Sequence, residues 1–233
     1  MQKTVSLHNL AKATHDMQNL LMLLKAHTEG IKEKLQRSPL KRRLIGRETD
    51  AMYVNIDRLS KLMSSLVIYK DVKDTMDLLK SQSFDLARVM SGLVDEYKLA
   101  FPDRTFQLQV PVTAAFVGDL AKITIVLRNI LENAIKYNPK KGKRSIIISL
   151  KAIKKNYEIL IQDSGIGIVA QDIPKIFLPF YRGRKGIDQQ GSGLGLAIAK
   201  EIVEFHGGEI TLISKVNVGT KVKIILPMYG IIS

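Results

Sequence analysis

Asn129, Asn133 and Tyr137 recur every fourth residue in a run whose other positions include Leu127, Ile130, Leu131, Ala134 and Ile135. Residues four apart share one side of an α-helix, so the two carboxamides and the phenol line a single face with Lys136 beside them. A carboxamide oxygen is a hard, neutral donor, suited to a magnesium ion that keeps several waters and takes phosphate oxygens. The lysine ammonium is a mobile point charge for phosphate. The plainer alternative is the solvated side of an amphipathic helix. Asp163 ends an apolar run, where an acceptor-only carboxylate can take a hydrogen bond from an amino group. Gly165 and Gly167 follow it and allow close backbone approach, or no more than a turn. Gly191, Gly193 and Gly195 open a helical run whose exposed amides and dipole favour phosphate. Near the start, His15 is followed by Asp16 and, about one turn on, by Asn19. With an ordinary pKa of about 6.5, a neutral imidazole is available as a nucleophile, and a neighbouring carboxylate can hold its tautomer and accept its proton.

The surrounding pattern supplies elements to carry these groups. From about Val5 to Gln36 there is no proline, and Leu7, Leu10, Met17, Leu20, Leu21, Leu24, Ile31 and Leu35 recur near helical spacing. Ser38 and Pro39 mark a turn. A second helix is expected through Leu44, Met52, Ile56, Leu59, Met63, Leu66 and Ile68, running back along the first. Two helices alone cannot bury such stripes, so a homodimeric four-helix bundle is the economical arrangement, with a coiled-coil hairpin without chemistry as the alternative. The polar stretch from Asp71 to Ser83 is expected to join this part to the next without breaking the helix sharply. Beyond it the periodicity predicts a helix near Asp85 to Ala100, strands near Thr105 to Val110 and Ala114 to Val117, and a helix from Asp119 to Tyr137. IIISLKAI and YEILIQD read as paired strands, Val169 to Gln190 as irregular, LGLAIAKEIVEFHGG as a helix, and GEITLIS and TKVKIILP as the last strands of a mixed sheet.

At 233 residues, with 45% hydrophobic and 25% charged side chains, the chain exceeds the commonest domain size of about 100 to 150 residues and suggests two domains. It has no cysteine, which excludes disulfides and thiolate metal sites, and its four histidines form no ligand cluster. A net charge of +14 raises the question of nucleic acid. Residues 1–80 hold 15 basic and 9 acidic groups and the remainder 21 and 13, so neither half is singled out. No aromatic platform accompanies the runs Lys41, Arg42, Arg43 or Lys140, Lys141, Lys143, Arg144, so no nucleic-acid role is expected. Without an apolar stretch near the roughly 20 residues a bilayer requires, no direct membrane insertion is expected either.

Four separated segments stand in fixed order: LRNILENAIKYNP at 127–139, DSGIGI at 163–168, FLPFYRG at 177–183 and GSGLGLAIAKEIVEFHGGEI at 191–210. Together they resemble the ATP-binding domain of sensor histidine kinases of two-component systems, over roughly Phe84 to Pro227. The resemblance implies an α+β chain, in which an N-terminal antiparallel helical hairpin forming a dimeric four-helix bundle precedes a GHKL or Bergerat α/β sandwich ATPase domain. Its expected boundaries are a dimerisation and phosphotransfer domain at 1–76, a linker at 77–83 and a catalytic domain at 84–229. It assigns Mg2+ to Asn133 with Asn129 nearby. ATP contacts are implied for Lys136, Tyr137, Asp163, Gly165, Gly167, Gly191, Gly193, Leu194, Gly195 and Thr220, with Asp163 taking the adenine amino group. The segment between the last two motifs looks like the family's ATP lid, which Phe180 and Tyr181 can anchor. Arg182, Arg184 and Lys185 can approach phosphate as it closes, or simply face solvent.

ATHDMQN at 13–19 is similar to the family's phosphoacceptor box, which makes His15 the nucleophile, Asp16 its partner and Asn19 a group able to position water for dephosphorylating a partner. Gln18 departs from the usual basic residue and Leu20 from the usual proline, whose missing kink bears on the reach of His15. His8 and His27 lack a following acid, and His206 reads as structural beside a glycine C-cap. The implied activity is ATP-dependent autophosphorylation of His15 and transfer to an aspartate of a response regulator receiver domain. A homodimer, a separate or upstream sensor, and a cytoplasmic location, including the cytosolic part of a membrane-anchored receptor, are expected with it. The alternatives are an ATP-binding scaffold or degenerate kinase, and a clamp ATPase of the same superfamily.

Overall fold

A computed structural model describes residues 21–33, 39–74, 80–138, 145–183 and 192–229. The chain divides into two compact units, Met1–Asp71 with Gln190–Ser192, and Val72–Gln189 with Gly193–Ser233. The first is built on helix α1 (residues 21–33) and helix α2 (Pro39–Asp74). Pro39 stands at the first position of α2, where its missing N–H costs no helical hydrogen bond. Leu21 packs with Ile56, Met63 and Leu66. Lys25 and Lys32 lie 5.3 and 5.8 Å from the centre of the Tyr53 ring, and Lys32 pairs with Asp50 at 2.8 Å. As numbers rise along α1 the partners on α2 fall, so the described stretches run in opposite directions. Met22, Leu23, Leu24, Ile31, Met52 and Leu59 remain exposed in the single chain.

The second unit holds a five-stranded sheet in the order β2 (Thr105–Gln109), β4 (Ser145–Ile153), β5 (Asn156–Asp163), β7 (Gly219–Pro227), β6 (Glu209–Lys215). β2 and β4 are parallel and the other neighbours antiparallel, so the sheet is mixed. Helices α3 (Leu86–Ala100), α4 (Leu120–Lys136) and α5 (Gly195–Phe205) pack against it. Alternation along β5 buries Tyr157, Ile159 and Ile161, and β4 and β7 add Ile146, Ile148, Val222, Ile224 and Leu226. Against these lie Met90 and Leu93 of α3, Ile123, Leu127, Ile130 and Leu131 of α4, and Ile198 and Ile202 of α5.

Both long helices of this unit begin at an aspartate. Asp85 accepts from the Ala87 and Arg88 amides at 2.9 and 3.3 Å, and Asp119 from the Lys122 amide at 3.0 Å, supplying acceptors for first-turn donors. α3 and α4 are braced by Tyr97, whose hydroxyl donates to Glu132 at 3.2 Å, and by the Arg128 fork on Glu96 at 2.8 and 2.7 Å. Burial and the Glu132 carboxylate push the Tyr97 phenol up to about 12.

Two details differ from the sequence expectation. The polar stretch read as a connection contains the start of β1 (Gln82–Asp85), which pairs antiparallel with β3 (Ala115–Gly118). Four polar-rich residues carry no periodicity, and the pairing partner lies some thirty residues away, so local pattern could not reveal the strand. The segment from Val169, read as irregular, contains a 3-10 turn at Ile173–Lys175 that starts beside Pro174. No helix among the described residues is long and apolar enough to cross a membrane.

Ile148→Ala, which empties a side chain that is 1% exposed at the centre of the sheet, is expected to cost about 2–5 kcal/mol. The urea midpoint of the full chain should fall accordingly with an unchanged slope.

Candidate functional site

β5 delivers Asp163 to the end of the sheet as a buried residue. Its Oδ1 accepts from the Gly165 amide at 2.7 Å and from the Thr220 amide, on β7, at 3.2 Å. Burial holds this carboxyl above its ordinary range, against the pull of the two amides. The turn that follows is pinned from two sides. The Ile166 amide donates to Tyr137 O at 3.1 Å, and the Asn217 amide to Ile166 O at 2.9 Å. Gly167 has φ +66°, and a Cβ there would run into the Lys215 carbonyl, so a side chain is excluded both by conformation and by space.

Thr220 is held by Ser214, whose hydroxyl lies 2.9 Å from Thr220 Oγ1, donates to Gly219 O at 3.0 Å, and accepts from the Ile168 amide at 2.8 Å. Asn138, just past α4, is 3% exposed and donates to Ser145 O at 3.4 Å. The Ser164 hydroxyl lies 3.5 Å from Asn138 Oδ1. Arg104 donates to Asn138 O at 3.1 Å. The end of α4, the turn at 163–167 and the start of β7 therefore form one hydrogen-bonded cluster.

α4 buries Ile123, Val126, Leu127, Ile130, Leu131, Ala134 and Ile135, and leaves Asn129, Asn133, Lys136 and Tyr137 partly exposed. The Lys136 ammonium lies 4.6 Å from the centre of the Tyr137 ring. A Cβ on Gly195 would stand 3.1 Å from Asn129 Oδ1, which places the first residue of α5 directly against that carboxamide. Leu194, the N-cap of α5, is fully buried and makes no side-chain cap. The first-turn amides of α5 thus have no side-chain acceptor from the N-cap, next to a half-buried carboxamide.

Phe180 has φ +63° and is 55% exposed, and its backbone abuts Gly193, itself at φ +73°. Tyr181 donates to Asp172 at 2.9 Å, with Asp172 buried beneath it, and Arg182 is exposed. Of the residues expected at a site, Asp163, Gly165, Gly167, Thr220 and Tyr137 come together at one end of the sheet. Asn129, Leu194 and Gly195 meet at the start of α5, and Phe180 meets Gly193. His15, Asp16, Asn19 and Gly191 lie outside the described residues. Asn138, Ser164, Asp172 and Ser214 were not anticipated. The first two sit inside quoted motifs, whereas Ser214 reaches the site only through its sheet register opposite Thr220.

The described residues contain no group of three His, Cys, Asp or Glu side chains able to hold a metal ion. The donor set that does exist, two carboxamides one turn apart on α4 with one against the α5 terminus, fits a hard cation that keeps most of its waters and shares phosphate oxygens.

An acceptor at one end and open helix amides beside two carboxamides at the other suit a nucleotide with its polyphosphate. Residues 118–230 match the family described as histidine kinase-, DNA gyrase B-, and HSP90-like ATPase. The chain is 30% identical over 234 residues to the sensor histidine kinase WalK of Bacillus subtilis, a match covering 94% of this chain and 36% of that one. It therefore spans about a third of the length of that curated relative. Among solved structures, a mycobacterial sensor histidine kinase, MprB, superposes with TM-score 0.56 and 28% identity, over 64% of this chain and 99% of that one. ShkA in complex with AMPPNP matches over 97% of this chain and 47% of that one with TM-score 0.72 and 17% identity, a likeness of fold. Residues 118–230 thus match an ATPase family, and over nearly its whole length the chain is similar to sensor histidine kinases.

His206 supplies a pH signature. The ring is buried, with Nδ1 donating to Ile202 O at 2.7 Å and Nε2 accepting from the Asp119 amide at 3.1 Å, so the neutral form uses both nitrogens. Burial pushes its pKa below the ordinary 6.5. Unfolded chain takes up this proton near 6.5 and folded chain only at lower pH, so the contribution is complete above 6.5 and is lost as pH falls through the folded value. Asp163, raised by burial, acts in the opposite sense over its own lower range, its share being lost as pH rises. Urea midpoints from about pH 7 down to about pH 5 should therefore fall more steeply for the native chain than for His206→Gln, which carries no titrating ring. Equal slopes would contradict the neutral assignment.

Proposed function

We propose that this chain is the catalytic part of a two-component sensor kinase that binds ATP with Mg2+, phosphorylates His15 and passes the phosphoryl group to an aspartate on a response regulator receiver domain. The observation that carries the reading is the pairing of a buried acceptor with a separate phosphate-ready end. Asp163 spends Oδ1 on two backbone amides, which leaves Oδ2 to accept from the adenine amino group. At the other end, the α5 amides and the Asn129 and Asn133 carboxamides provide for the triphosphate and its cation. We assign Gly165, Gly167 and Thr220 to the base, Tyr137 and Lys136 to its flank, and Gly191, Gly193, Leu194 and Gly195 to the phosphates. Exposed Arg182 would supply a guanidinium to developing charge, and Phe180 would anchor that segment. Bound Mg2+ would neutralise phosphate charge.

In the transfer step one imidazole nitrogen of His15 attacks the γ-phosphorus, forming an N–P bond as the bond to the β–γ bridging oxygen breaks and ADP leaves. Asp16 holds the other nitrogen in its protonated form and takes up the proton as charge develops. Asn19, four residues on in sequence, positions water for dephosphorylating the receiver domain. The exposed apolar side chains of α1 and α2 support a second copy of the chain as their cover, giving a four-helix bundle from two hairpins. We place the phosphotransfer part at 1–76, the connection at 77–83 and the catalytic part at 84–229. The reading puts the chain in the cytoplasm, as the cytosolic part of a membrane-anchored receptor or the partner of a separate sensor.

Incubation with γ-labelled ATP and Mg2+ should give an acid-labile, alkali-stable label on the full chain. His15→Gln should abolish the label and keep ATP binding, and Asn133→Ala should abolish it through the cation. Label that persists in His15→Gln, or ATP binding without any label in the native chain, would sink the kinase reading and favour a nucleotide-binding scaffold.

Asp163→Asn keeps an acceptor for the Gly165 and Thr220 amides but offers no charge to the adenine amino group. ATP affinity should fall about 10- to 100-fold, the range of a hydrogen bond to a charged group, while thermal stability near neutral pH holds or rises because a buried charge is removed. Calorimetric titration and a melting curve on the same sample read the two effects separately.

A further inference from the structure

His206 is a buried imidazole that lies outside the nucleotide-contacting set. It caps α5, is 1% exposed, and joins two helices through the pair of hydrogen bonds from Nδ1 to Ile202 O and from the Asp119 amide to Nε2. Asp119 is the N-cap of α4, and its carboxylate is itself engaged by the Lys122 amide and, at 3.2 Å, by the Lys122 ammonium. The imidazole is flanked by aromatic rings and by a glycine. The Phe116 and Phe205 rings lie 6.3 and 6.2 Å from it, and a Cβ on Gly118 would stand 3.0 Å from its Cδ2.

The second place where the same helices meet is Gly195 against Asn129. From Asp119 to Asn129 along α4, and from Gly195 to His206 along α5, the helical rise amounts to about 15 and about 16 Å. Matching lengths between two meeting points describe helices lying side by side in opposite directions. The tie at His206 and Asp119 therefore governs the axial register at Gly195 and Asn129, where α5 presents its first-turn amides. α4 is also held at its far end, where Tyr137 O accepts from the Ile166 amide beside Asp163. Loss of the histidine tie would thus let α5 shift along α4 within its packing and leave the Asp163 end in place.

We propose that His206 is a positioning residue that sets α5 against α4, and so fixes the spacing between the Asn129 carboxamide and the helix terminus that together receive the polyphosphate and its cation. The inference rests on the nucleotide reading above. It goes beyond packing because its effect is confined to one end of the ligand. Misplacement of a binding group by about 1 Å is enough to cost a large factor in a site built on orientation.

The test is calorimetric titration of the full chain with adenosine, which reaches only the Asp163 end, and with Mg·ATP, which needs both ends. His206→Phe keeps a ring of similar volume and removes both hydrogen bonds. His206→Gln restores a donor for Ile202 O and an acceptor for the Asp119 amide. The expected result is that His206→Phe weakens Mg·ATP about tenfold, the scale of one lost hydrogen bond, leaves adenosine unchanged, and that His206→Gln recovers most of the loss. Should His206→Phe not fold, His206→Met carries the same comparison. Native-like Mg·ATP affinity in a folded His206→Phe, an equal loss for both ligands, or no recovery in His206→Gln overturns the inference. A native chain that binds Mg·ATP while these variants behave alike leaves the nucleotide reading standing, whereas one that binds neither ligand overturns both.

Discussion

A carboxylate carried to the buried end of a strand must be met by donors, and much of the second unit is arranged around that demand at Asp163. The two donors come from different places, the turn after β5 and the start of β7, so satisfying one side chain ties a loop to a sheet edge. Backbone has to come close for this to happen, which is why the Gly167 position excludes a side chain and why Ser214 bonds both Ile168 and Gly219. The group remains costly, since burial still holds its pKa up. A polar group kept buried at a cost is characteristic of a site for a ligand.

α4 links that demand to the core. Its apolar side is packed into the unit, so the opposite side, with Asn129, Asn133 and Lys136, is presented at a fixed angle by the same burial that holds the fold together. Its termini are tied at both ends, to His206 at the start and to the turn at 163–167 at the finish. α5 contributes the converse property. It begins without a side-chain cap and ends on a histidine whose two nitrogens are both used. The chemistry is thus positioned by packing, and the packing residues need no polar function of their own.

The part of the candidate site that is legible in sequence is the part written in local spacing. Asn129, Asn133 and Tyr137 were readable because a period of four is a helix face, and Asp163 because a charge closing an apolar strand is unusual. The strands of the mixed sheet were visible as alternating runs. Ser214 was not, because its partner Thr220 is set by register between β6 and β7. Asn138 was passed over inside a motif, since its value lies in a buried contact with Ser145 and not in its neighbours along the chain. β1 reads as part of a connection in the sequence because its polar-rich residues acquire strand structure only by pairing with β3.

By itself, the amino-acid sequence determined the element types, the polar face of α4, the carboxylate at the end of β5 and the glycine-rich entry to α5. These follow from periodicities of two and of about four residues and from the backbone freedom of glycine, all of which act over a few neighbouring positions. Only the tertiary structure decided which oxygen of Asp163 is occupied, that Gly195 lies against Asn129, and that His206 is a neutral tie between two helices. Those facts depend on groups tens of residues apart being brought within about 3 Å, where hydrogen bonds and desolvation act and local pattern carries no information.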